Sequence, residues 1–494
     1  MIPAPCLRRC AAVAALMPLA TVALLGCATA DLDAKAAITR AEQAMGGAQL
    51  TSIRYAAEGI GHTFGQAFVP GSAWPKITVH GLLRSANFAT GSMRDEITLS
   101  RAEPTGGGGY PLAGQQRNDQ YLSGTHAWNV VAAGPAPGPR FVADRTHQLW
   151  ITPHGVLKAA WRNKTSAQTR IEGGSTVTAL KFREPGRFDA IVIVGADGLV
   201  QRVESRAPDP VLGEVDVLTR YSNYRDVGAG VRFPGRIEQI MAGSLVLDVQ
   251  VGLVEPNAAV DIRVPDAVRT AAERVTTDRL ADGVWHVGGG SHNSVAIEMK
   301  DHLVLVEAPL NDGRTQPVID AVKALAPGKP IRYVINSHPH FDHAGGLRTA
   351  VADGATVVAQ ASALPYFERA FATPNRIAPD RLAASGRRAS FMAVGDRAQL
   401  SDGARTIDIH RITGGGHSDA FLMVHLPAEK ILIEADAYTP LAPNTPPPAV
   451  ANTNHVNLIA NIERLKLNVE RIAPLHGRVV PLAELYTTAR TTPR

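Results

Sequence analysis

Residues 331–343 restrict what this chain can fold into more than any other stretch, because an apolar, strand-like run at 331–336 leads directly into His338, His340, Asp342 and His343. Four metal-binding side chains fall within six positions at the end of a strand. In an extended loop alternate side chains point the same way, so His338, His340 and Asp342 are expected to converge on one point while His343 turns toward a neighbouring one. One segment then serves two metal ions. Neutral imidazoles and a carboxylate suit zinc, with iron or manganese as other occupants. Gly345 and Gly346 permit a tight turn into a helix starting near Leu347. Any one of these histidines alone reads as an ordinary surface or core residue; the whole set does not.

Three further candidate donors stand at strand ends. His417 follows a strand-like run at 406–412 and three glycines, Asp436 follows the apolar run 431–435, and His476 follows 471–475 and precedes Gly477. Three strands delivering one side chain each to a common rim is the arrangement expected of a site on an α/β sheet. His292 and Asn293, in a glycine-rich turn after the first strand of this half, are also within reach. Strand patterns at 294–299, 303–307, 356–359 and 421–426 alternate with helical patterns at 317–325, after 346 and at 456–465, which reads as a layered α/β domain over 281–494. Asp436 is followed by Tyr438-Thr439-Pro440, the prolines 446–448 and residues 452–455, which serve either as a pocket wall or as a connector.

The half that precedes it is of another kind. Residues 33–45 carry Ala37, Ile38, Ala41 and Met45 on one helical face and stop at Gly46-Gly47. Period-two patterns follow: residues 190–194 and 199–204 read as one hairpin around the turn 195–198, and 231–241 with 245–254 as another, with Leu245, Leu247, Val249 and Val251 opposite Asp248 and Gln250. Residues 31–270 therefore read as a mainly antiparallel β domain with one wet face. Residues 106–109 and 134–139 read as loop insertions, being rich in glycine and proline. The boundary is placed between 255 and 281.

At 494 residues and 45% hydrophobic content the chain has material for two or three domains. A net charge of +5 with scattered basic residues argues against nucleic acid as a partner. Arg8-Arg9 and the apolar stretch 11–25 read as an export signal over 1–26. Leu24-Leu25-Gly26-Cys27 has the form of a bacterial lipobox, favoured over the Ala28-Thr29-Ala30 cleavage site, so membrane attachment through a lipidated Cys27 is expected. Cys6, Cys10 and Cys27 are the only cysteines. The folded part then has no disulfide and no thiolate ligand, and a metal site in it is built from His, Asp and Glu.

His338-x-His340-x-Asp342-His343, with His417, Asp436 and Pro474-Leu475-His476-Gly477 in that order, resembles the metallo-β-lactamase-fold superfamily of metallohydrolases over residues 283–482. The resemblance implies a four-layer αβ/βα sandwich in which His338, His340 and His417 hold one ion, Asp342, His343 and His476 hold a second, and Asp436 bridges them. It implies two Zn2+ per chain, with Asp342 also catalytic in orienting the hydroxide. Aspartate rather than cysteine at 436 points to the glyoxalase-II-like, lactonase-like and general hydrolase branches. The expected activity is hydrolysis of an ester, thioester, lactone or amide in a small-molecule substrate by a metal-bridged hydroxide. One alternative on the same fold is a mononuclear iron oxygenase. Another follows from the first half, which is similar to the half-barrels of periplasmic lipoprotein carriers and suggests an envelope carrier of hydrophobic ligands. The expected location is the periplasm or outer membrane of a bacterium.

Overall fold

The structure is a computed structural model that describes residues 33–103, 107 and 114–492. The export signal, the lipobox at Cys27, the other two cysteines and most of the 106–109 insertion lie outside the described residues.

The first helix, α1 (Ala34–Met45), forms where the apolar stripe predicts, with Ala37, Ile38, Ala41 and Met45 buried. Asp33 caps its start by accepting from Lys35 N, and Gly46 ends it in the left-handed region at φ 65°, where any Cβ would collide with the Gly230 carbonyl. A single sheet of thirteen strands follows. From Ser52–His62 the chain meanders outward to Gly134–Pro137 at one edge, crosses the sheet through α2 (Val142–Trp150) and α3 (Pro153–Arg162), and meanders back from Ser166–Glu172 at the other edge. The last strand, Ser244–Pro256, closes the sheet by pairing antiparallel with the first, Ile53 opposite Pro256.

Leu149, Val156, Leu157 and Ala160 from α2 and α3 join α1 in covering one face of this sheet. The opposite face carries cross-strand ion pairs such as Arg236–Asp248 and Arg206–Asp216, both at 2.7 Å. A cavity between helices and sheet, bounded by Tyr55, Ile151 and Tyr221, measures about 20 Å3, which is room for a single water.

Two sequence expectations change here. Residues 134–137 form a strand rather than a loop, paired with His126–Val131. Proline is tolerated because this strand lies at the sheet edge, where one side of the backbone needs no partner. The hairpin read at 231–254 is shorter on its first arm, Arg236–Met241, and shifts register between Gln239 and Ile240. That shift lets Val246 be buried beside Ala67 and Trp74.

The C-terminal domain is a two-sheet sandwich. Its seven-stranded sheet begins at Thr276–Ala281, a largely exposed edge strand whose polar sequence hides it within the 255–281 connector. Leu303–Val306, Ile331–Ile335, Thr356–Gln360 and Phe391–Val394 run parallel to one another in that sheet. Val304, Val306, Ile335 and Val358 face Ile407, Ile409, Leu422 and Val424 of the six-stranded sheet. Leu303, Leu305, Val334 and Val357 face outward into the helices Asp312–Leu325 and Leu347–Asp353. Strands buried on both faces read as continuous apolar runs, which is why they stand out in the sequence. Helix, sheet, sheet and helix are the four layers of an αβ/βα sandwich.

The two domains touch at several points. Val211, at the tip of an N-terminal hairpin, belongs to the core of the C-terminal helix layer, and Glu214 accepts from Ile377 N at 2.8 Å. Among the described residues no helix is long and apolar enough to cross a membrane.

Candidate metal centre

All seven sequence-predicted donors meet at one edge of the sandwich, in two groups. His338, His340, His417 and Asp436 form one; His343, His476 and Asp342 form the other, joined by His292. Alternation along an extended loop had placed Asp342 with His338 and His340, and this is corrected by the backbone. Phe341–Ala344 is a helical turn, so Asp342 and His343 swing to the neighbouring group. Gly345 and Gly346 serve close packing more than turn geometry. A Cβ on Gly345 would lie 1.9 Å from Leu310 O, and one on Gly346 would lie 1.8 Å from Thr315 Oγ1.

Donor atoms within each group are crowded. In the first, His338 Nε2 lies 2.9 Å from His340 Nδ1 and 3.0 Å from His417 Nε2, and Asp436 Oδ2 lies 2.8 Å from His417 Nε2. In the second, His343 Nε2 is 3.1 Å from His476 Nε2, and Asp342 Oδ2 is 3.1 Å from His292 Nε2 and 3.7 Å from His343 Nε2. Asp436 spans both, with Oδ1 at 2.8 Å from His476 and Oδ2 at 3.3 Å from His343. Four donors bound about 2.05 Å from one zinc ion stand about 3.3 Å apart, close to these separations. Ring nitrogens facing one another at such distances, with carboxylates between the groups, are the donor chemistry of divalent metal sites, and the residues fit two ions.

The electrostatics agree with this chemistry. Burial pushes the His340 imidazole down to about 3 and that of His292 to about 4, and burial with neighbouring His343 and His340 holds His338 well below its ordinary value. Burial would raise Asp436 and Asp342, but the adjacent imidazoles, His343 foremost, outweigh it and hold both carboxyls well below the usual range. Metal ligands have to be deprotonated, and these groups are. His343 differs: burial lowers it, yet Asp436, Asp342 and Glu307 together carry it well above the ordinary imidazole value.

Outer partners orient the rings. Glu307, fully buried, accepts from His343 Nδ1 at 2.9 Å, from Ser337 Oγ at 2.5 Å and from Asn336 Nδ2 at 3.0 Å. It does so from a left-handed backbone at φ 74°, a conformation that costs a non-glycine residue on the order of 1–3 kcal/mol and is held by the surroundings. Ser337 Oγ also meets His338 Nδ1 at 3.0 Å, and Ser291 O meets His476 Nδ1 at 3.2 Å. Asn293 anchors the 289–293 turn by donating to Gly477 O at 2.9 Å.

His338, His340, His343 and His417 are buried, whereas the side chains of Asp342, Asp436 and His476 are 30%, 19% and 18% exposed. The centre is open to solvent over these three. The proposed wall after Asp436 divides: Tyr438 turns fully into the core and Asn452 caps the helix Thr453–Arg464, while Pro440 packs on Gly477 beside His476. A larger concavity of about 540 Å3 lies on the N-terminal sheet, lined by Leu82, Thr98, Arg117 and Gln250 among others, and includes none of the eight residues of the two donor groups.

Sequence reasoning missed Glu307, although an acid ending the apolar strand Leu303–Val306 repeats the signal that singled out Asp436. It also missed Gln66, which donates to Asp342 Oδ1 at 2.8 Å from a loop of the other domain and carries no sequence signal.

Residues 287–474 match the family model of the metallo-beta-lactamase superfamily. The C-terminal domain belongs to that superfamily. Several solved structures of metallo-β-lactamases resemble it. The enzyme from Pontibacter korlensis is 16% identical, with 44% of this chain and 98% of that chain covered and a TM-score of 0.34. That from Hirschia baltica is 23% identical, covering 44% and 96% with a TM-score of 0.32. FIM-1 from Pseudomonas aeruginosa, solved in a mono-zinc form, is 22% identical, covering 44% and 93% with a TM-score of 0.32. No curated protein matches the chain.

Proposed function

We propose that this protein is an exported dinuclear zinc hydrolase acting on an ester, thioester, lactone or amide bond of a small molecule. The observation that carries the reading is the pair of four-residue donor groups joined through Asp436. His338, His340 and His417 would hold one ion and Asp342, His343 and His476 the other, with Asp436 between them and His292 against Asp342. Bound there, the ions would lower the pKa of water and polarise the scissile carbonyl. Asp342, the most exposed donor, would orient the attacking water, its Oδ1 held by Gln66 and its Oδ2 facing His292 and His343. The leaving group would depart on the open side beside His476, taking up the proton released by the attacking water. A mononuclear iron oxygenase would leave His343, His476 and His292 without a task, so the two-ion reading is preferred. Export through residues 1–26 and anchoring through lipidated Cys27 complete the proposal.

Purified protein expressed with zinc should carry close to two equivalents of zinc per chain, and H340A should lose hydrolysis of generic ester and lactone substrates with its fold intact. Protein that binds no zinc, or an H340A variant as active as wild type, would end this reading.

A further inference from the structure

The donor groups belong to the C-terminal domain, yet they are braced from outside it. Residues 63–75, which connect Ser52–His62 to Lys76–Asn87 in the N-terminal sheet, run across both donor loops. Phe341 N donates to Gly65 O at 3.1 Å, and Asp419 N, two residues past His417, donates to Phe68 O at 2.8 Å. Between these anchors two groups of the strap face the donors: the Ala67 carbonyl lies 3.1 Å from His340 Nε2, and the Gln66 amide donates to Asp342 Oδ1.

Each contact fixes one donor. A carbonyl has no proton to give, so the His340 proton resides on Nε2, and Nδ1 presents its lone pair toward His338 and His417. The Gln66 amide occupies Oδ1 of Asp342, which leaves Oδ2, the oxygen beside His292 and His343, for an ion. Such outer contacts commonly alter metal affinity 10- to 100-fold.

The strap is fitted closely. Gly65 stands at φ 80°, and a Cβ there would lie 2.5 Å from Phe341 Cγ. Phe64, Trp74 and Phe341 form a three-ring cluster with centroids 5.1 to 5.8 Å apart. Gly107, from another N-terminal loop, backs the strap: a Cβ on it would lie 2.3 Å from Gln66 O, and its N–H donates to Gly416 O at 3.0 Å, next to His417.

We propose that Gln66 and Ala67 are positioning residues of the metal centre, so that the N-terminal domain sets how tightly its sister domain holds metal. This rests on the dinuclear reading above. The test uses the full chain with Q66M, which keeps the volume and removes the donor, and Q66E, which places a second carboxylate against Asp342. Cobalt is titrated into metal-free protein while its visible absorption bands are followed, and zinc affinities are measured against a chromophoric chelator. Wild type should take up two ions. Both variants should hold one ion with unchanged affinity and bind the other at least tenfold more weakly, with altered bands for that ion, while the metal-free protein still unfolds in a cooperative transition. Wild-type affinities and spectra in both variants would overturn the inference. A wild-type protein that takes up no cobalt would instead overturn the metal reading beneath it.

Discussion

Replacing Glu307 tests whether the geometry around His343 holds the second ion. In Glu307→Gln the side chain keeps its shape but exchanges one carboxylate oxygen for an amide nitrogen. Three donors converge on this group, from Asn336, Ser337 and His343. One of them must then face an N–H. A charge-assisted hydrogen bond contributes about 1.5–3 kcal/mol, so E307Q should lower stability by about that amount. Turning the His343 ring or its tautomer should weaken the second ion by about 10- to 100-fold, or about 1.4–2.7 kcal/mol. Glu307→Ala goes further, leaving buried donors on Asn336 and His343 unsatisfied at about 1–3 kcal/mol each in addition to a cavity, a large part of a typical domain's stability. Chemical denaturation of metal-free protein measures the first quantity and chelator competition the second. If E307Q binds both ions as wild type does, the carboxylate does not orient His343 and the reasoning fails.

Other consequences are more quickly checked. Gly65→Ala sets a methyl group into the Phe341 ring from a left-handed backbone and should weaken metal binding through the strap, as read by the same competition assay; unaltered binding would show the strap to be incidental. Burial holds His147 and His154, beneath the N-terminal sheet, at about 4, below the ordinary 6.5. Their depressed values mean that stability is intact above pH 6.5 and falls as pH drops toward 4, by about 3 kcal/mol for each. H147Q should therefore lose less stability than wild type between pH 7 and pH 4.5 in urea titrations, and an equal loss would refute the assignment. Chelation should lower the melting temperature, since a donor set assembled only in the folded state adds about 2.7 kcal/mol at ligand concentrations of about 100 times Kd; a melting curve indifferent to chelator would contradict this. Cys27→Ala should abolish incorporation of labelled fatty acid, and continued labelling would exclude lipidation at that residue.

What could be read from the sequence follows physical rules. The apolar face of α1 and its glycine stop were legible because a surface helix announces its buried stripe at regular spacing. The donors were legible because His417, Asp436 and His476 each follow an apolar strand. By contrast, α2 and α3 bury Arg145, His147 and His154, polar residues that spoil the stripe. The thirteen-stranded sheet depends on pairing Ser52–His62 with Ser244–Pro256 across some two hundred positions, which no local pattern reports. The placement of Asp342 turned on a four-residue helical turn within a proline-containing loop. The Ala67 carbonyl was beyond reach altogether, because every residue has one and only the fold decides which faces a histidine.

The strap also sets a timetable. A ribosome releases residues 63–75 long before His476 exists, and domains tend to form in order of synthesis. The hydrogen bonds that Gly65, Ala67 and Phe68 accept from the donor loops can therefore close only when the finished second domain docks onto the first. The bracing of the centre is therefore completed only once both domains have folded and met, and the tighter metal binding that it supports is a property of the docked pair rather than of either domain.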